Sequence, residues 1–192
     1  MLHVVVDENM PDVEAFLGDS ARVTRRSGRR LQSRHLQQAD ALFVRSVTQV
    51  DRALLDGTPV RFIGTATSGT EHIDREYLAA QGIGFSRAAG ANANSVVEYV
   101  LSALAACPNH LENLMSGGSA GVIGQGPVGR AVARRLRALG GVCRVYDPWL
   151  PQEQLPGATS LQEVLACDLV CLHPELTRRQ PWPSYHLLGK AN

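Results

Sequence analysis

The residues Gly124-Gln125-Gly126-Pro127-Val128-Gly129 have GxGxxG spacing. They lie directly after the apolar run Ala120–Ile123 and directly before a helix-like stretch through Leu139, the context in which such glycines hold a dinucleotide. Gly124 permits a tight turn, and Gly126 lets the backbone approach a pyrophosphate. Gly129 lets the helix pack on the strand, so that phosphates meet the Val128 and Gly129 amides at the positive end of the helix. The next apolar run, Val142–Tyr146, ends at Asp147, an acid placed to accept hydrogen bonds from both hydroxyls of an adenosine ribose. A bond to a charged partner contributes roughly 1.5–3 kcal/mol. The same charge repels a 2′-phosphate and no arginine follows at once, so the expected cofactor is NAD rather than NADP. Pro127 suits the first helical turn but has no N–H, which weakens the grip on the phosphates. The bland alternative is a tight turn with a surface aspartate. A methyltransferase also uses a glycine-rich loop and a strand-end acid.

The elements that must position these residues alternate. Strand-like runs Leu2–Val6, Leu42–Val44, Arg61–Gly64 and Ile83–Phe85 are separated by helix-like segments Pro11–Leu17, Asp51–Leu55 and Ile73–Gln81, with Gly82 as a stop. Asn94–Ala106 predicts a long apolar helix ended by Pro108. The polar, Gly/Ser-rich residues 108–119 predict a linker. Beyond it come the strand, glycine turn and helix above, then Val142–Tyr146, a short helix opened by Ser160 and Glu163 at capping-box spacing, and the strand Leu169–Leu172. Strands alternating with helices predict an α/β chain with parallel sheets. The boundaries are one lobe over 1–107, a linker over 108–119 and a second lobe over 120–192.

Composition narrows the function classes. A net charge of +1 in 192 residues gives no push toward nucleic acid or an anionic membrane. The N-terminus reads as a first strand rather than a signal peptide, and no apolar stretch approaches the roughly 20 residues that span a bilayer. Cys107, Cys143, Cys167 and Cys171 match no zinc or disulfide pattern and read as reduced core thiols, which with the rest predicts a cytoplasmic protein. Six scattered histidines suggest no metal site. The basic stretch Arg25, Arg26, Arg29, Arg30, Arg34 is read as a solvated face in preference to a phosphate lure.

The segments VDENMP (6–11), LFVRSVTQVDRALLDG (42–57), VRFIGTATSGTEHID (60–74) and NSVVEYVLSAL (94–104) precede the glycine motif, and YDP (146–148) and LVCLH (169–173) follow it. In this order they resemble the D-2-hydroxyacid dehydrogenases over nearly the whole chain. VDENMP, VRSVT and GTATSGTEHID resemble the branch acting on 4-phospho-D-erythronate in vitamin B6 biosynthesis. The resemblance implies a flavodoxin-like substrate lobe and a Rossmann lobe for NAD, here partial, and a homodimer formed through the nucleotide lobe. It also implies hydride transfer from a small phosphorylated hydroxy acid. By position it assigns substrate contacts to Ser46 and Thr67, with Arg45 beside Ser46, groups chemically suited to an anionic substrate. For Ser46 and Thr67 the rival role is routine turn hydrogen bonding, and for Arg45 a surface charge.

Alcohol oxidation needs a base for the hydroxyl proton. The resemblance implies a histidine paired with a glutamate, and an arginine for the substrate carboxylate, all beyond these 192 residues. None of His72, His173 and His186 occupies those positions, so no catalytic residue is assigned. The family threonine after LVCLH is here Pro174. The expectations are therefore a partial dinucleotide lobe with exposed apolar surface, a doubtful dimer, and little or no dehydrogenase activity from this chain alone. The competing expectation is a non-catalytic NAD-binding or oligomerisation module.

Overall fold

The computed structural model describes residues 1–185, 187 and 188. Two compact units divide the chain, one over Met1–Ala89 and one from Gly90 onward. His186 lies outside the described residues.

The first unit contains strands β1 (Leu2–Asp7), β2 (Ala21–Arg26), β3 (Ala41–Val44), β4 (Phe62–Thr65) and β5 (Gly84–Arg87), with short helices α1 (Val13–Leu17), α2 (Arg52–Leu55) and α3 (Arg75–Ala80). All neighbouring strands are parallel, in the order β2-β1-β3-β4-β5. That order reverses between β1 and β3, the place where open α/β sheets form a ligand crevice at the carboxyl ends of their strands. The apolar run of β1 is continuous because both its faces are covered. Val5 packs with Leu36, Leu42, Val44, Ile63 and Leu78, while Val4 and Val6 pack with Val13 on the other side. Each such side chain contributes about 1.5–3 kcal/mol by leaving water. Asp51 and Asp74 start α2 and α3 by accepting the Leu54 and Tyr77 N–H groups at 3.0 and 2.9 Å.

The sequence reading missed β2. It is an edge strand whose charged residues blunt a free edge, so its apolar signal is limited to Ala21 and Val23. Within the basic stretch, Arg25 is bidentate on Glu14 and donates to the Met10 carbonyl at 2.7 Å, which ties β2 to α1.

The second unit contains α4 (Ala93–Ala105), α5 (Pro108–Met115), β6 (Ser119–Ile123), α6 (Pro127–Ala138), β7 (Val142–Tyr146), α7 (Leu161–Leu165) and β8 (Leu169–Leu172). Its sheet is parallel, in the order β7-β6-β8. Residues 108–115, expected as linker, are helical: Leu114 supplies a buried anchor (2% exposed), while Leu111 is part-buried and Met115 exposed. The division between units also falls earlier than residue 107. Val97 and Leu104 of α4 share one core with Val122, Val132, Leu136 and Val145, so α4 packs with the glycine-motif helix. The helix opened by Ser160 forms with both capping-box bonds. Cys143 and Cys171 are buried, and burial pushes the Cys171 thiol up to about 11, whereas Cys107 is exposed rather than core. At the edge strand β8, Leu172 is 44% exposed. No helix among the described residues is long and apolar enough to cross a membrane.

Candidate functional site

In the second unit the chain leaves β6 and turns on Gly124, whose φ of 86° is left-handed. A Cβ there would also meet the carbonyl carbon and oxygen of His173 and the nitrogen of Pro174 at 2.5 Å. Gly129 sits so close that a Cβ would overlap the Gly124 carbonyl oxygen, which locks the first turn of α6 onto the strand end. Gly126 is the opposite case: nothing lies within 4 Å of its Cβ position. Open space therefore stands beside the start of α6, where the Val128 and Gly129 amides lack intrahelical acceptors by position. Val128 packs its side chain on the core, so its backbone alone is available at the turn.

Asp147 closes this arrangement. The Gln125 N–H donates to Asp147 Oδ2 at 2.8 Å, and the Trp149 N–H donates to Oδ1 at 3.0 Å. Each carboxylate oxygen keeps a further lone pair for an incoming hydroxyl. An anion-accepting helix start, an uncrowded glycine and a carboxylate that can accept more are the groups a dinucleotide's pyrophosphate and ribose require, so the residues present fit that group.

The sequence reading missed two neighbours. Arg130 donates through Nε to the Gln125 carbonyl at 2.8 Å, holding a cation at the turn. Trp149 stacks edge-on to Trp182, with ring centroids 5.4 Å apart. Arg130 follows Gly126 by one helical turn and Trp149 follows Asp147 by two residues, so spacing carried a signal for both.

In the first unit, Arg45, Ser46 and Thr67 all follow the carboxyl ends of adjacent strands β3 and β4, beside the β1/β3 reversal. Arg45 and Ser46 open a turn in which the Thr48 N–H donates to the Arg45 carbonyl at 3.2 Å. Ser46 is exposed. The half-exposed Arg45 guanidinium stands 4.0 Å from Asp7 Oδ1 at the end of β1. Asp7 is buried (3% exposed) and accepts the Asn9 N–H at 2.9 Å, while its Oδ2 and the nearby Thr48 Oγ1 are buried without a protein partner.

Thr67 donates to the Gly69 carbonyl at 2.8 Å, and its Oγ1 is 2.8 Å from Thr65 Oγ1, which is in turn 2.9 Å from His72 Nε2. His72 is buried at 4% exposure, and burial lowers its pKa. Burial likewise lowers that of His173, whose Nε2 is buried without a partner. Among the described residues no histidine ring is hydrogen-bonded to a carboxylate.

Comparison with known proteins shows the family. Residues 4–174 match the model of the D-isomer specific 2-hydroxyacid dehydrogenase catalytic domain. The erythronate-4-phosphate dehydrogenase of Cellvibrio japonicus is 47% identical over 189 residues, which is 98% of this chain and 49% of that enzyme. The enzyme of the same name from Teredinibacter turnerae is 44% identical over 188 residues, 98% of this chain and 50% of its own length. The chain thus spans about half the length of the curated relatives it matches. Among solved structures, NAD+-bound 3-phosphoglycerate dehydrogenase of Entamoeba histolytica superposes with a TM-score of 0.73 at 21% identity, over 92% of this chain and 64% of that one. The D-lactate dehydrogenase of Aquifex aeolicus, solved with NAD and lactic acid, gives 0.70 at 22% identity, over 88% and 60%. The chain belongs to the D-isomer specific 2-hydroxyacid dehydrogenase family.

Proposed function

We propose that the protein oxidises the 2-hydroxyl of 4-phospho-D-erythronate with NAD. This chain supplies the substrate lobe and the part of the nucleotide site that takes the pyrophosphate and adenosine ribose. The substrate rests on the relatives' names and the strand-end cluster of Arg45, Ser46 and Thr67. One observation carries the cofactor: the bond from the Gln125 N–H to Asp147 Oδ2, which unites the glycine turn and the strand-end acid in one site.

Bound NAD supplies a hydride acceptor at its nicotinamide ring. The residues of this chain bind and orient. The start of α6 holds phosphate charge, and Asp147 accepts the ribose hydroxyls and disfavours a 2′-phosphate. Arg45 and Ser46 meet an anionic group of the substrate, and Thr67 donates to a second oxygen. The hydroxyl proton is not assigned to His72, which is buried with its Nε2 bonded to Thr65, nor to His173, whose Nε2 is buried.

The test is titration of the purified chain with NADH, followed by quenching of Trp149 and Trp182, then incubation with NAD and 4-phospho-D-erythronate while reduced nicotinamide is monitored. Saturable NADH binding and preference over NADPH are expected. Absence of NADH binding would sink the nucleotide assignment, and preference for S-adenosylmethionine would replace it. Binding without turnover is expected of this chain, to which no catalytic base is assigned, and turnover would place the base among its own residues. Binding with no turnover even by a longer form of the protein would leave the role of a nucleotide-binding or oligomerisation module.

A further inference from the structure

The three contacts that run from His72 to Gly69 fix the positions of their hydrogens by counting. The contacts His72 Nε2 to Thr65 Oγ1, Thr65 Oγ1 to Thr67 Oγ1, and Thr67 Oγ1 to the Gly69 carbonyl are 2.9, 2.8 and 2.8 Å long. Each contact of that length needs a hydrogen between its atoms. The carbonyl has none to give, and the two hydroxyls supply one each. The third must come from His72 Nε2.

With that hydrogen in place the chain has one direction: His72 donates to Thr65, Thr65 to Thr67, and Thr67 to the Gly69 carbonyl. Were Nε2 a bare lone pair, Thr65 would turn toward the ring. Thr67 would then face two oxygens with one hydrogen, and one contact would become repulsive. Burial disfavours a second proton on the ring, so the imidazole is neutral, and its Nδ1 is buried without a protein partner.

We propose that His72 is a positioning residue which makes Thr67 a one-way hydrogen-bond donor toward an anionic oxygen of the substrate. This rests on the assignment of Thr67 as a substrate contact. A lone threonine hydroxyl presents either its hydrogen or a lone pair. Here Thr65 occupies a lone pair of Thr67 Oγ1, so the hydrogen of Thr67 is directed away from Thr65, to the Gly69 carbonyl or to a ligand oxygen that displaces it. A chain of donors also polarises its last member and strengthens it as a donor. His72 achieves this from the core, touching no ligand.

The experiment uses the purified chain and 4-phospho-D-erythronate in calorimetric titration, beside 15N spectra of the His72 ring. Thr65→Val, nearly the same shape, breaks the chain and is expected to weaken binding roughly tenfold, the worth of a hydrogen bond to an anion. Thr65→Ser restores it to within about twofold. His72→Gln, whose amide N–H can reach Thr65, is expected to bind more tightly than His72→Leu. The ring nitrogens are expected to report a neutral Nε2–H tautomer, a readout that requires neither folding of a variant nor binding. A neutral Nδ1–H tautomer overturns the proposal. So does unchanged binding by Thr65→Val and His72→Leu when Thr67→Val loses it, and that outcome leaves Thr67 as a contact. Unchanged binding by Thr67→Val, or no binding by the parent chain, removes the assignment of Thr67 and the inference with it.

Discussion

The Gln125 N–H and the Asp147 carboxylate are joined at 2.8 Å, so the acid that would take the ribose is also the brace of the glycine turn. The two roles use different lone pairs of the same group, and they separate by substitution.

Asp147→Asn preserves size but offers one acceptor oxygen where two backbone N–H groups, those of Gln125 and Trp149, now find acceptors. It also removes the charge that opposes a 2′-phosphate. The expected outcome is NADH affinity lower by roughly tenfold and a smaller preference for NADH over NADPH. Asp147→Ala loses both bonds and should in addition lower the melting temperature. Fluorescence titration with the two nucleotides checks this, and an unchanged NADH/NADPH ratio in Asp147→Asn would remove Asp147 from the ribose.

Glu163 gives a pH prediction. Its carboxylate accepts from the Thr159 and Ser160 hydroxyls and the Ser160 N–H, and these hold its pKa down to about 2. The folded value is depressed below the unfolded one, near 4.5. Stability from the ionised form is therefore fully present above the unfolded value and declines as the pH falls toward the folded one. Urea midpoints of the parent chain and Glu163→Ala should differ most near neutral pH and converge in strong acid. A gap that stays constant across that range would show that Glu163 acts by packing rather than by charge.

What could be read in advance followed from how local each signal is. The turn Gly124–Gly129, the acid at Asp147 and the capping box of Ser160 and Glu163 are local patterns, each with a physical reason at fixed spacing, and the structure places them in that form. β2 was hidden because an edge strand carries few apolar residues and Arg25 reads as surface charge. α5 was hidden because its buried anchor, Leu114, stands among polar residues that run on into Gly117 and Gly118, a stretch that reads as linker. Thr67 was noticed by its place among related motifs, but the chain through Thr65 to His72 was not. Its members are two and seven residues apart around a turn, and only the fold turns their side chains to one another. Asp7 beside Arg45 joins two strands far apart in sequence, which no local pattern reveals.

Gly126 and Gly129, three residues apart, make opposite predictions when each is changed to alanine. Gly126 has φ −67° and ψ −174°, values open to any residue, and its Cβ position is empty to 4 Å. Gly126→Ala should fold and melt like the parent chain, while its methyl group fills the space into which a pyrophosphate must come. NADH affinity should fall by roughly tenfold or more. At Gly129 the added carbon runs into the Gly124 carbonyl oxygen, which is backbone and cannot swing away. Overpacking of this kind costs about 1–3 kcal/mol, or roughly 4–8 °C in melting temperature for each kcal/mol in a unit of this size. Calorimetric melting and NADH titration of both variants separate the two effects. Parent-like NADH binding by Gly126→Ala would place the phosphates elsewhere, and a parent-like melting curve for Gly129→Ala would mean that α6 is free to move off the strand end.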